Sequence, residues 1–264
     1  MRLHTHNDLA YYTFDSIAVK HGFFTRHGGA STGKWSSLNL SRSTGDTQAA
    51  VVENRTRMMA AMNTTGWLTS WLVHGNHVRV VGPADLGHDD VHADGMVTRA
   101  RGMALTLRFA DCVPVVFHDR RRDVIGIAHA GWKGIVNGVL AATVHTMRSA
   151  FDCHAADIIA GVGPCIGPQK FEVGADVAAE IQGAVSEKVV AEGAESATNS
   201  DRAAPSAKPC IDLWKAAKSQ LHHAGVGEIE VARMCTASNT RDWFSHREEK
   251  GQTGRFGVLI ELGE

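Results

Sequence analysis

Residues 113–117, VPVVF, and 124–128, VIGIA, are apolar without interruption and are separated by HDRRRD. A strand with one wet face alternates apolar and polar residues, whereas an unbroken apolar run of this length belongs to a strand buried within the fold. The polar segment between the runs, with Arg120, Arg121 and Arg122 in a row, reads as a solvated hairpin turn. Any fold open to this chain therefore has to bury that pair. Just outside it stand Cys112, before the first run, and His129, after the second. These are residue types that bind metal or attack a substrate, placed where two buried strands stop.

The rest of the chain reads as many strands with fewer helices. SIAVKHGFFTRHGGAS is a strand ending at a glycine turn. TGDTQAAVVENRTRMMAAMN is a capped helix with Val51, Val52, Arg55, Met58, Met59 and Met62 at helical spacing, its methionines assigned to the core. WLVHGNHVRVVG reads as two short strands broken at His74-Gly75, and HADGMVTRARGMALTLRF as a turn and a strand. After the GWKG turn a helix is expected from Ile135 to Phe151, followed by the strand DIIAGVGP and the helices VGADVAAEIQGAV and IDLWKAAKSQLHHAGVG. EIEVARMCT and RFGVLIEL are late strands. Several strands follow one another without a helix between them, which favours α+β with mixed sheets over a strict βαβ repeat. No linker divides the chain, so residues 1–264 are expected to form a single domain, with 1–15 loose and the Ala-, Ser- and Glu-rich stretch 186–209 a mobile loop.

Composition bounds the function classes. With 27 basic and 28 acidic side chains the net charge is −1, so no general attraction to nucleic acid or an anionic membrane is expected. No apolar segment approaches the roughly 18 residues of a membrane span. The 5 cysteines form no CxxC pair and no even disulfide set, and the N-terminus has no basic-then-apolar leader. Together these predict a cytoplasmic protein.

The phosphate-cradling GxxxxGK[ST] loop, the HExxH motif, and the deaminase HxE with PCxxC are all absent. GVGPCIGP spaces its third glycine wrongly for a dinucleotide fingerprint. What remains is His74, Cys112 and His129, each at the end of an apolar run. Strands of one sheet end close together, so the three converge if those ends share an edge. Two imidazoles and a thiolate suit Zn²⁺, and a three-ligand site keeps a fourth position open for water or substrate, acidifying that water toward neutrality. Two other readings stand beside this one: a metal-free Cys112–His129 nucleophilic dyad, and a buried cysteine with a hydrogen-bonded core histidine.

The ordered motifs FTRHGGAS, LNL, VHGNHV, DGMVT, ADCVPV, AHAGWKG, GPCIGPQKFEV and FSHREEKGQTGR resemble the YfiH-type laccase-domain family, also called multicopper polyphenol oxidoreductase or peptidoglycan editing factor. The resemblance implies a single-domain four-layer α/β/β/α sandwich with mixed β-sheets. It also implies a metal site at the histidine of VHG, the cysteine of ADC and the histidine of AHAGW, here His74, Cys112 and His129, holding zinc, with copper an alternative occupant. The activity it implies is phosphorolysis of purine nucleosides (adenosine, inosine, guanosine, methylthioadenosine) together with adenosine deamination, so the expected partners are a small nucleoside and phosphate. The alternatives are a Cys–His amidohydrolase editing serine-containing peptidoglycan precursors, a copper-loaded polyphenol oxidase, and a non-catalytic zinc protein closed by a fourth ligand such as His118, His92 or Cys165. Asp111 is expected to shuttle protons, and Arg26 and Arg247 to grip phosphate. Two positions depart from the family pattern: Leu72 stands where glutamine is usual, and Glu248 replaces the second arginine of the SHRR motif.

Overall fold

The structure, a computed structural model, describes residues 1–87, 92–191 and 208–263. It begins with strands β1 (Arg2–His6), β2 (Leu9–Thr13) and β3 (Lys20–Phe24), then helix α1 (Gln48–Ala61). Next come β4 (Gly66–Thr69), β5 (Val78–Val80), β6 (Gly95–Thr98) and β7 (Met103–Phe109). The two apolar runs are β8 (Val113–Asp119) and β9 (Val124–Ala130), paired as an antiparallel hairpin and followed by α2 (Trp132–Val136) and α3 (Val139–Phe151). The remaining elements are β10 (Ile158–Val162), α4 (Ala175–Gly183), α5 (Leu213–His223), β11 (Glu228–Val231) and β12 (Phe256–Glu261).

One sheet has the order β1-β2-β3-β12-β7-β4 and the other β11-β10-β8-β9-β6-β5. Both are mixed: β4 runs parallel to β7 in the first, and β10 with β11 and β5 with β6 are parallel in the second. Because successive side chains point to opposite faces, each strand feeds two layers. Val116, Ile125 and Ile127 of the second sheet meet Leu105, Leu107 and Val258 of the first in one apolar layer. Val113, Val115 and Phe117 face the other way, against Ile135, Leu140, Val144 and Leu221 of the helices. On the far side, Phe24, Ala104 and Leu259 lie under Met58, Met59 and Met62. The result is the α/β/β/α sandwich implied by the resemblance. Coverage of both sheet faces is why VPVVF and VIGIA show no polar alternation.

Local expectations fare unevenly. The arginine turn is solvated as read: Asp119 Oδ1 accepts from the backbone N–H of Arg121 at 2.9 Å and of Arg122 at 3.1 Å, and all three arginines are exposed. The helix expected from residue 135 to 151 is broken, because Gly138 takes a left-handed φ of 78° between α2 and α3. WLV before His74 is not a strand; Trp71 makes only an isolated bridge to His92. Residues 1–15 are not loose: β1 and β2 extend the first sheet, with His4 Nε2 2.8 Å from Thr13 Oγ1 and its ring stacked on Tyr11. Backbone pairing and ring stacking hold a hairpin there that apolar patterning did not reveal. The expected mobile loop 186–209 falls largely on residues 192–207, outside the described residues; at its described ends, Val190 bridges Ile211.

β10 crosses close under the N-terminal segment. A Cβ added at Gly161 would stand 2.4 Å from a ring carbon of Phe14, itself fully buried. Gly161→Ala is therefore expected to destabilise by about 1–3 kcal/mol in chemical denaturation, the usual cost of forcing extra atoms into a packed core. An unchanged denaturation midpoint would mean the Phe14 ring has room to move.

Candidate metal centre

The antiparallel register of β8 on β9 pairs Val113 with Ala130 and Pro114 with His129, so Cys112, one residue before β8, lies beside the end of β9. On β9 the alternation that sends Ile125 and Ile127 between the sheets sends His129 there too, its ring centroid 5.4 Å from that of Phe109. β6 pairs with the other edge of β9, and the residue entering it, Asp94, accepts the His129 backbone N–H on its carbonyl at 2.7 Å. His74 reaches the same edge from the loop before β5, in a left-handed conformation with φ 57°. Asp94 also supports that turn: its Oδ1 accepts from His74 N at 2.9 Å and its Oδ2 from Gly75 N at 2.7 Å. Three positions far apart in sequence thus meet at one sheet end.

Ligand atoms of His74, Cys112 and His129 all lie within 4.8 Å of one another, and the two imidazole centroids are 5.0 Å apart. In a tetrahedral zinc site the donors stand roughly 3.3–3.7 Å apart, so small side-chain movements close this cluster on an ion. Backbone occupies one side of the cradle: a Cβ added at Gly131 would stand 3.2 Å from Cys112 Sγ and 3.6 Å from His74 Nδ1. His129 Nδ1 is buried and faces Asp94 Oδ1 at 3.4 Å, a charge contact longer than a good hydrogen bond. With Nδ1 turned to Asp94, Nε2 is left to serve the cluster. Among the described residues no fourth His, Cys, Asp or Glu joins the group. His118 sits six residues up β8 from Cys112, roughly 20 Å away along an extended strand. Cys165 is buried with its thiol toward the Ile166 carbonyl, and His92 is exposed.

Electrostatics favours ligation over free nucleophilicity. Burial, with Asp111 adding, pushes the Cys112 thiol up to about 12. Burial lowers the His129 imidazole, although Asp94 pulls the other way, and so favours the neutral ring that binds metal. A coordinated cation is the group that would ionise such a thiol outright.

The cluster opens into a cavity of about 510 Å³. Among the described residues its wall carries Arg42, Arg55, Arg108, Arg247 and Arg255, with Asp111 as the one carboxylate. Arg247 and Asp111, two of the residues expected to meet substrate, line this wall, and both are held. Asp111 accepts from Thr236 Oγ1 at 2.6 Å and from Arg247 N at 2.7 Å, and Arg247 Nη1 donates to the Glu172 carbonyl at 2.9 Å. Arg26 does not belong to this wall. It pairs with Glu249 at 3.0 Å, donates to the carbonyls of Ser36 and Thr240, and lies over the Phe244 ring, so its charge is spent on joining loops. Of the two departures from the family pattern, Leu72 lines the cavity, whereas Glu248 pairs with Lys170 at 3.1 Å outside it. Sequence reasoning missed Asp94, Arg108 and Arg255; Asp94 had a signal in the DGMVT motif, but Arg108 sits in a strand among apolar neighbours and Arg255 follows a glycine-rich loop.

Residues 20–263 match a family described as multi-copper polyphenol oxidoreductase laccase. A protein of Deinococcus radiodurans named purine nucleoside phosphorylase is 36% identical over 247 residues, covering 94% of this chain and 90% of that one. Purine nucleoside phosphorylase YfiH of Escherichia coli is 34% identical over 242 residues, covering 90% and 91%. The crystal structure of YlmD from Geobacillus stearothermophilus superposes with a TM-score of 0.86 at 29% identity, over 99% of both chains. No described helix is long and apolar enough to cross a membrane.

Gly131 has ordinary extended backbone, φ −69° and ψ 173°, that alanine also adopts. Gly131→Ala is thus expected to fold and yet to lower zinc uptake, measured as metal per chain after dialysis, because its methyl group crowds the donors. Full zinc content in that variant would place the ion elsewhere.

Proposed function

This chain belongs to the multi-copper polyphenol oxidoreductase laccase family, and on that premise we propose that it is a purine nucleoside phosphorylase whose cleft holds a divalent ion at His74, Cys112 and His129. The observation that carries the reading is the charge of the cavity wall: among the described residues, five arginines stand around the cluster against one carboxylate, Asp111, already engaged. Phosphorolysis brings an oxyanion to ribose C1′, where a phosphate oxygen displaces the base nitrogen. Guanidinium groups grip such an anion through paired N–H donors. Trp132 and Phe171 add flat apolar surface suited to a base. Zinc is the proposed occupant, with copper accepted by the same borderline ligands; when bound it supplies Lewis acidity.

Adenosine deamination is proposed as a lesser activity of the same cleft. It needs a group that moves a proton at the purine, and Asp111, the carboxylate on the wall, is already accepting hydrogen bonds on both oxygens. Adenosine, inosine, guanosine and methylthioadenosine are the proposed nucleosides, and the cytoplasm the proposed compartment, in keeping with 5 cysteines in the sequence and all of them free.

The competing readings meet specific obstacles. A Cys112 nucleophile acting on a peptidoglycan precursor would start from a thiol pushed up to about 12. A multicopper oxidase needs several ligand groups, and among the described residues only one His/Cys/Asp/Glu group is close enough to share an ion. A closed structural zinc site needs a fourth protein donor, and no described residue supplies one.

Incubation of metal-quantified protein with inosine is expected to release free base only when phosphate is present, and Cys112→Ala is expected to abolish that release. Equal rates for wild type and Cys112→Ala, or base release independent of phosphate, would sink the reading. Arg247→Met is expected to raise KM for phosphate about tenfold while moving KM for the nucleoside less, since a charged hydrogen bond contributes about 1.5–3 kcal/mol. An unchanged phosphate KM would remove Arg247 from anion binding.

A further inference from the structure

Asp94 is fully buried, yet it is not one of the three clustered side chains. We propose that Asp94 is the positioning residue of this centre: it holds the hydrogen of His129 on Nδ1, so that Nε2 presents its lone pair to the ion, and it pins His74 in its left-handed turn. The proposal rests on the reading that the cluster holds an ion, but one arm of its test does not.

The contacts of Asp94 all lead to ligand-bearing segments. Its carboxylate accepts from His74 N and Gly75 N at 2.9 and 2.7 Å, and its carbonyl accepts from His129 N at 2.7 Å. Its Oδ1 lies 3.4 Å from His129 Nδ1. Backbone and ring of His129, and the turn that carries His74, are thus all referred to one residue. That residue is itself fixed at the entry to β6 by Asp94 N donating to the His77 carbonyl at 3.0 Å.

The chemistry gives the direction. An ionised carboxylate only accepts, so a ring nitrogen facing it is stabilised as N–H, and the other nitrogen is left unprotonated. A metal-binding histidine needs that arrangement. A φ of 57° at His74 is uncommon for a residue with a Cβ, and two bonds from consecutive amides to one carboxylate hold it there. Charge supplies a further reason. Among the described residues the one ion-pair partner of Asp94 is His129. A buried carboxylate with so little countercharge is costly, and an ion on the far side of that imidazole would offset it.

The test uses the full chain. In metal-free wild type, long-range ¹H–¹⁵N correlation spectra of the imidazoles, with the His129 signals assigned by their loss in His129→Gln, are expected to show the hydrogen on Nδ1. Asp94→Asn places an amide NH₂ where an acceptor stood, so the Nε2–H form is expected to rise and zinc affinity, read by competition with a chromophoric chelator, to fall about 10–100-fold. The absorption bands of the cobalt(II)-loaded protein are expected to shift in the same variant. A wild-type His129 carrying its hydrogen on Nε2 overturns the proposal, and that measurement decides even if Asp94→Asn fails to fold. So does an Asp94→Asn protein whose zinc affinity stays within about twofold and whose cobalt spectrum is unchanged. Wild-type protein that takes up no zinc is a separate result, which removes the metal reading and this inference together.

Discussion

The pairing of β8 with β9, from Val113 opposite Ala130 to Asp119 opposite Val124, is the constraint on which the rest of the molecule depends. Both strands are buried along their whole length, with helices over one face and the other sheet over the opposite one. A slip of one residue would turn every side chain to the wrong layer, so the register is strongly fixed. It is this register that delivers Cys112 to the flank of His129. Core packing and site geometry are therefore set by the same hydrogen-bond ladder, which gives the cluster a rigid base that a loop alone would not provide.

The centre lies where the ladder runs out. Strand ends leave backbone groups without ladder partners, and a buried end has to satisfy them by other means. Here the Asp94 carboxylate takes two amide hydrogens of the His74 turn, while its carbonyl takes that of His129. The same burial that makes these bonds strong keeps the Cys112 thiol protonated. Burial thus disfavours both a free Cys112 thiolate and a charged His129 ring.

The cavity wall shows why net charge misleads at this scale. The chain carries a net charge of −1, yet the arginines on the wall come from the loop before α1, from α1, from β7 and from the segment between β11 and β12. Described acidic side chains such as Glu261 and Asp123 pair with Lys20 and Arg101 away from this wall. Asp111, the exception, acts as a clasp: Thr236 and Arg247 N close on its two oxygens and tie the late loop to the β7–β8 turn.

Read without coordinates, the chain already declared its buried hairpin, its methionine-lined helix, its mixed α+β character and the three residues at the ends of apolar runs that the cluster brings together. Apolar period and strand termini are local properties, written into consecutive residues. The break at Gly138, the pairing of the first fifteen residues and the commitment of Arg26 to Glu249 were not legible, since each depends on what a segment meets after folding. Asp94 is the clearest case: a lone aspartate before a strand looks like a turn residue. Only the tertiary structure decided that it faces the segments carrying His74 and His129, and that arginines scattered from residue 42 to 255 share one wall. Sequence carries the one-dimensional pattern that selects strands and helices; the distances on which coordination and charge depend exist only once non-local pairing has brought those strands together.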